Sequence, residues 1–243
     1  MPFLKQHPKG FKVLLLIVAA LLLSLYLFLH NAGALFSTGN FFFGGRFYDL
    51  NKAMFFYDLA LKQNPSQSGV HYQMGRIYFL NADFDSAIEE INKEIALYPD
   101  FKRSYYIRGL VYGYQKDFKK AEADFLTFLA WKPDSWAGHN DLSWVYFQEG
   151  DFVNAAKYAK EGLVQNPDNP WLLNSLGIAL LNQKKYKEAE EALSRGLSIF
   201  KTLPPEVWGR AYPGNNSQIY DEGYNATLKV IEKNLALAKK AGN

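Results

Sequence analysis

Few side chains in this sequence are of the kinds that do covalent or metal chemistry. There is no cysteine, which removes disulfides, thiolate metal sites and cysteine nucleophiles. Four histidines occur, His7, His30, His71 and His139, and no two stand in an H-x-x-x-H spacing. No phosphate-cradling glycine loop or serine elbow is present. His71 and His139 lie 68 residues apart, twice the period described below, so they cannot share a metal ion and read as packing residues. The acids Glu89, Glu90, Glu190 and Glu191 fall on outward sides of helical runs and are expected to be solvated. The catalytic, cofactor-binding and metal-ligating sets are therefore all expected to be empty, and the chain reads as a non-enzyme.

Charge points away from nucleic acid. The formal net charge is +3, from 27 basic and 24 acidic residues. Lys5, Lys9 and Lys12 precede the first acid, Asp49, which leaves 24 bases against 24 acids in the rest of the chain. A balanced body lacks the basic stripe that would displace counterions from phosphates. With 49% hydrophobic and 16% aromatic residues, it has ample material for a core.

The chemistry-poor body is built on a repeat. Ala53, Ala87, Ala121, Ala155 and Ala189 recur every 34 residues, and Pro65, Pro99, Pro133 and Pro167 keep the same step. In the unit Ser68–Phe101, Val70, Met74, Ile77 and Tyr78 have helical spacing, and Asn81-Ala82-Asp83 breaks it. A second run places Ala87, Ile88, Ile91, Ile95 and Leu97 inward until Pro99 ends it. Each unit is thus predicted to be two short antiparallel helices. A small residue is required where they cross, and Phe84, Phe118, Phe152 and Tyr186 fill the wedge at the turn.

On these residues the chain resembles the tetratricopeptide repeat family. Gly75 and Tyr78, Gly109 and Tyr112, and Gly177 fall on the family's glycine and tyrosine positions, and the alanines and prolines on its other markers. Ser143 in place of a glycine, Arg108 in place of a leucine and Lys201 in place of the last proline depart from the pattern. The first unit is incomplete, because Asp49–Leu61 reads as a second helix while Ser37–Gly45, with three glycines, is a poor first one. The resemblance implies an all-α helical-hairpin solenoid of four full repeats and a half repeat over 46–203. It also implies a concave groove lined by first helices, where a protein or peptide partner binds. The groove positions it assigns are Tyr72, Arg76 and Phe79; Arg103, Tyr106, Leu110 and Tyr114; Asn140, Trp144 and Phe147; and Trp171, Asn174, Ile178 and Leu181. Half of them are expected to be exposed, and Asn140 and Asn174 to bond an extended peptide backbone. No cofactor and no small-molecule substrate is implied. The lysine and asparagine set by which some members clamp a C-terminal carboxylate is not matched.

The ends are different in kind. Val13–Leu29 is an uncharged apolar run of 17 residues that would span about 26 Å as a helix. Three lysines precede it and only Arg46 is basic in the twenty residues after it, which places the N-terminus in the cytoplasm and the body outside. The segment reads as a single-pass membrane anchor of a bacterial protein, or as a signal segment cleaved at Ala32-Gly33-Ala34 to release a soluble adaptor. The expected organisation is a cytoplasmic basic tail (1–12), an anchor or signal segment (13–33), a flexible spacer (34–45), the solenoid (46–203), and a turn-rich linker with a capping helix (204–243). Within the last, a short helix is expected between Pro205 and Tyr212, a turn at 212–216, and a capping face of Tyr220, Tyr224, Leu228, Ile231 and Leu235.

Overall fold

The computed structural model describes residues 8–211 and 216–242. Most of the basic tail (1–7) and residues 212–215 of the expected turn lie outside the described residues. The first helix, α1, runs Pro8–Leu29, so Lys9 and Lys12 lie in its first turns, ahead of the apolar run Val13–Leu29. Its 22 residues span about 33 Å, enough for a hydrocarbon core. It is the one helix among the described residues long and apolar enough to cross a membrane. Its side chains pack on almost nothing, with Leu16 70% exposed.

Five helical hairpins follow. They are α2 (Ala32–Phe42) with α3 (Leu50–Gln63), α4 (Val70–Leu80) with α5 (Phe84–Leu97), and α6 (Arg103–Tyr114) with α7 (Phe118–Trp131). The last two are α8 (Trp136–Glu149) with α9 (Phe152–Gln165), and α10 (Pro170–Asn182) with α11 (Tyr186–Phe200). Each hairpin packs on the next, as a solenoid requires. The short α12 (Pro205–Ala211), a 3-10 turn (Ser217–Ile219) and α13 (Tyr220–Gly242) complete the chain. The capping helix lies against α11, with Tyr224 stacked on Phe200 at 4.8 Å and Ile231 and Ala238 buried.

The helices of a hairpin cross where a glycine faces a large residue sixteen positions later. A β-carbon on Gly75 would come within 2.6 Å of Ile91, and one on Gly177 within 2.4 Å of Leu193. Gly109 meets the Phe125 ring in the same way. The unit that has Ser143 has Ala159 at the partner position, so the volume removed from the second helix makes room for the serine, whose hydroxyl donates to the Ala155 carbonyl at 2.8 Å. Arg108 is accommodated likewise. Asp124, sixteen residues on, takes it in a two-pronged ion pair with both contacts at 2.8 Å.

The turns repeat as strictly as the crossings. Ala82, Lys116, Gly150 and Lys184 all adopt left-handed backbone, at φ 57°, 64°, 87° and 61°. In each unit the next residue's N–H closes the helix end, as from Asp83 to the Tyr78 carbonyl and from Asp117 to Tyr112. Asp49, Asp83, Asp117 and Asp151 then cap the second helices, each carboxylate accepting from the N–H three residues on. Lys185 holds the fifth place and makes no side-chain cap.

Residues 34–45 are not a flexible spacer. Most of them form α2, which supplies the first helix that the initial unit lacked and packs along α3. Leu35 and Phe43 are buried, and Gly39 lets the Tyr57 ring lie against the backbone while the Tyr57 hydroxyl donates to Asn40 at 2.8 Å. The glycine that lowers helix propensity is what the tyrosine needs. Glu90 also departs from expectation. It is buried between His71, at 2.6 Å, and Lys93, at 2.8 Å. Burial pushes its carboxyl up, but the bonds from His71 and Lys93 outweigh burial and hold it below the usual range.

Two stability predictions follow from the repeated turn. Lys116→Gly should raise unfolding free energy by about 0.5–1 kcal/mol, because it relieves a side chain held in left-handed backbone. Gly150→Ala, with open space around the added carbon, should lower it by a similar amount. Urea unfolding of both variants measures the pair. In the helix crossing, Gly177→Ala should cost about 1–3 kcal/mol by overpacking against Leu193, read as a lower thermal midpoint.

Candidate partner-binding groove

Successive first helices approach one another more closely than successive second helices do, so α4, α6, α8 and α10 form the inner layer of the curve. Rings dominate it. Phe79 on α4, Tyr114 on α6 and Trp144 on α8 form a rail, with centroids 5.4 Å and 5.1 Å apart. Tyr106 lies on Phe125 and Phe128, and Trp136 stacks on Trp171 at 5.2 Å.

A polar thread crosses the middle of this surface. The Tyr106 hydroxyl donates to Asp141, and Asn140 donates to the other Asp141 oxygen at 3.1 Å. The Asn140 oxygen accepts from Ser175 at 2.9 Å, so one chain of hydrogen bonds ties α6, α8 and α10. Burial pushes the Asp141 carboxyl up to about 6, against the opposing effect of Tyr106 and Asn140. Burial, then the Asp141 charge, pushes the Tyr106 hydroxyl well up. At the first unit, Arg76 lies over the Phe43 ring at 4.5 Å and donates to Gln73, which donates to Asn40, each at 2.8 Å. Burial lowers its guanidinium below the usual arginine value, and Tyr72 and Tyr57 partly restore it.

Two cavities open on this face. One of about 420 Å³ is lined by Phe79, Phe84, Tyr106, Leu110, Tyr114, Asp141 and Ala211. Another, of about 300 Å³, lies among Trp136, Asn140, Asp141 and Trp171, and is walled by Trp208, Ala211 and Thr227. The lining offers flat apolar faces and amide and hydroxyl groups, which suits an extended peptide segment. Among the described residues no three His, Asp or Glu side chains converge as a metal-ligand set.

Family profiles described as tetratricopeptide repeat match residues 68–101, 106–170 and 146–209. The chain belongs to the tetratricopeptide repeat family. A curated relative, anaphase-promoting complex subunit 3 of Schizosaccharomyces pombe, is 22% identical over 140 residues, which is 58% of this chain and 21% of that protein's length. The fold is shared with PilW, a widely conserved type IV pilus biogenesis factor, at a TM-score of 0.64 and 19% identity over 84% of this chain and 96% of that one. It is also shared with YrrB, a tetratricopeptide repeat protein with an unusual peptide-binding site, at 0.57 and 18% over 70% and 87%.

Within the repeats the fourteen groove positions divide sharply. Only Arg103 and Tyr114 are exposed, and Leu110 is part of the core. Tyr72, Phe79, Tyr106, Trp144, Phe147 and Leu181 are half-buried against that core, while Arg76, Trp171 and Ile178 are half-buried along its rim. The expectation that half would stand exposed is corrected, because closely spaced first helices let large rings bridge units. Asn140 has both ends engaged within the chain, and the Asn174 oxygen accepts from Asn234 of the capping helix at 3.1 Å. Trp136 and Asp141 are groove residues outside the assigned positions, and Trp208 and Ala211 come from the segment after Leu203, where the 34-residue period is lost. The only hint of the last two was that Trp208-Gly-Arg-Ala-Tyr-Pro-Gly is not ordinary cap sequence.

The Asp141 carboxyl gives a pH signature. A carboxyl raised on folding from 3.8 to about 6 keeps its proton in the folded chain while the unfolded chain loses it, so its stabilising contribution falls as pH rises from about 4 to 6. Asp141→Asn should remove that fall. In urea unfolding, the variant should gain on the order of 2 kcal/mol over the wild type between pH 4 and pH 7.

Proposed function

We propose that this protein is a non-catalytic, membrane-anchored scaffold that binds a segment of a partner protein in the concave face of its repeats. The carrying observation is the inner face itself, where the rings of Phe79, Tyr114 and Trp144 form a rail beside the hydrogen-bonded Tyr106–Asp141 centre. The peptide-binding site of YrrB, on a similar fold, is in keeping with this reading.

The anchor reading rests on α1, whose exposed apolar side chains would be costly to leave in water. The lysine bias supports an extracytoplasmic position for the repeats. Release as a soluble adaptor by cleavage at Ala34 is less well supported. The Ala32-Gly33-Ala34 site lies in the first turn of α2, where the Asn31 side chain accepts from the Ala34 N–H at 2.9 Å, and α2 is part of the first hairpin's core. Cutting there would open that cap and free the start of a packed helix.

The test is capture by the detergent-solubilised full chain from the membrane fraction of its host. Tyr114→Ala with Arg103→Ala should reduce recovery of the partner at least about tenfold, whereas the convex-face control Val153→Asp should not. Equal recovery by all three rejects the groove. A compartment-sensitive reporter fused after Asn243 reads the orientation, and cytoplasmic activity of that fusion would reverse it.

A further inference from the structure

The two ends of the repeat stack are finished differently. At the far end α13 covers α11, whereas the first hairpin leaves a run of five phenylalanines partly in the open. Phe47 stacks on Phe41 at 5.0 Å, and Phe41 meets Phe42 at 5.2 Å. Phe42 lies on Phe56 at 5.7 Å, and Phe56 meets Phe55 at 5.4 Å. Phe41, Phe47 and Phe55 are each more than half exposed.

The later units show what these rings replace. Two residues after the crossing position of each first helix stand Phe41, Ile77, Val111, Val145 and Ala179. The last four are buried, and Val145 shows why: a β-carbon on Gly113 of the preceding hairpin would lie 3.4 Å from it. The first unit has no hairpin before it, yet it keeps a large apolar side chain there. Phe55 holds the place that Glu89, Ala123, Lys157 and Glu191 hold in the later units, all of them exposed. A solenoid's terminal unit needs a polar outer face to stay in solution. This end is aromatic instead, which suits a surface that is covered.

The chain itself brings a lipid surface to this end. Only His30 and Asn31 separate α1 from α2, and Asn31 is extended, so α2 does not continue the line of α1. Phe28, in the last turn of α1, packs on the core of the first hairpin, which holds that hairpin at the end of α1. Ten residues of helix from Asn31 to Phe41 cover about 15 Å, whichever way α2 points. Arg46 is exposed beside Phe47, and Lys52 lies over the Phe42 ring at 5.4 Å, so cations border the rings. We propose that the first hairpin seats Phe41, Phe47 and Phe55 among the headgroups of the bilayer that α1 spans, and so stands the repeat stack on the membrane. The rings bury apolar area at the acyl boundary while the bordering cations meet phosphate. The inference rests on the anchor reading and adds the orientation of the repeats over the lipid.

The absence of native cysteine lets single nitroxide labels be placed in the full chain. The chain is reconstituted singly in nanodiscs of phosphatidylcholine and phosphatidylglycerol in equal parts. Ser37→Cys and Asn51→Cys are exposed and lie one helical turn from Phe41 and Phe55, so they report on the rings without removing them. Leu22→Cys on α1 and Val153→Cys on α9 serve as the lipid and water references. Electron paramagnetic resonance then compares collisions with oxygen, which concentrates in lipid, and with a nickel chelate, which stays in water. The oxygen-to-nickel ratio at Ser37→Cys and Asn51→Cys should exceed that at Val153→Cys at least about fivefold. Adding Phe47→Ser with Phe55→Ser should bring the Asn51→Cys ratio down to the Val153→Cys value, with helical circular dichroism intact. Water-like readings at Ser37→Cys and Asn51→Cys beside a lipid-like Leu22→Cys overturn the proposal and leave the anchor standing. A second copy as the cover of the rings would give that same result in single-chain discs. An Asn51→Cys ratio indifferent to the two serines overturns the proposal as well. A water-like Leu22→Cys rejects the anchor itself, and this inference with it.

Discussion

Every feature of this molecule depends on how closely two helices can cross within one hairpin. A glycine on the first helix and a large apolar residue sixteen positions later let the backbones approach, as at Gly75 with Ile91 and Gly177 with Leu193. The close approach buries the alanines of the second helices, with Ala87, Ala121, Ala155 and Ala189 all fully inaccessible. Interiors at this density tolerate a change at one position only if another gives way. The unit with Ser143 shows this, since its partner position shrinks to Ala159. Arg108 shows the polar version, in which a charge at a packing position is kept by placing Asp124 opposite it.

The same geometry sets the curvature and so the concave face proposed to bind. Because first helices sit closer together than second helices, the stack bends around them, and their outward rings are forced into contact between units. Side chains assigned to a groove by position therefore become partly structural. Tyr106 packs on Phe125 and Phe128 with its ring and holds Asp141 with its hydroxyl. The result is a groove with stiff walls and few freely exposed anchors, which lowers the ordering cost of binding but limits which ligands fit.

The two ends of the solenoid solve the problem of an open core in different ways. At the start, α2 closes the first unit, with Leu35, Phe43 and Tyr57 forming a small core joined to the second hairpin through Val70, Met74 and Ile77. At the finish, α13 covers α11 and extends the main core with Leu235 and Ala238. The apolar α1 precedes the first closure with one short junction at Asn31, so under the proposed anchoring the repeats would be held close to the bilayer instead of on a long tether.

The amino-acid sequence alone determined the period, the hairpin, the crossing alanines and the apolar N-terminal helix. Each of these is local: a 3.6-residue rhythm, a turn breaker and a run of leucines are written in neighbouring residues and survive without knowledge of the rest. It misjudged Ser37–Gly45, because its glycines speak against a helix by propensity, and only the Tyr57 ring packed on Gly39 explains why one forms there. It also placed Glu90 in solvent, since helical spacing alone does not show that His71 and Lys93 enclose it. What the tertiary structure decided was which groove residues remain available and what lies over them. Asn174 accepts a hydrogen bond from Asn234 of the capping helix, 60 residues on, and Trp208 and Ala211 line the cavities beside Tyr106 and Asp141, placements that leave no periodic mark. Such pairings depend on the summed rotation of five stacked hairpins, a quantity carried by the packing of all the units and by no single stretch of chain.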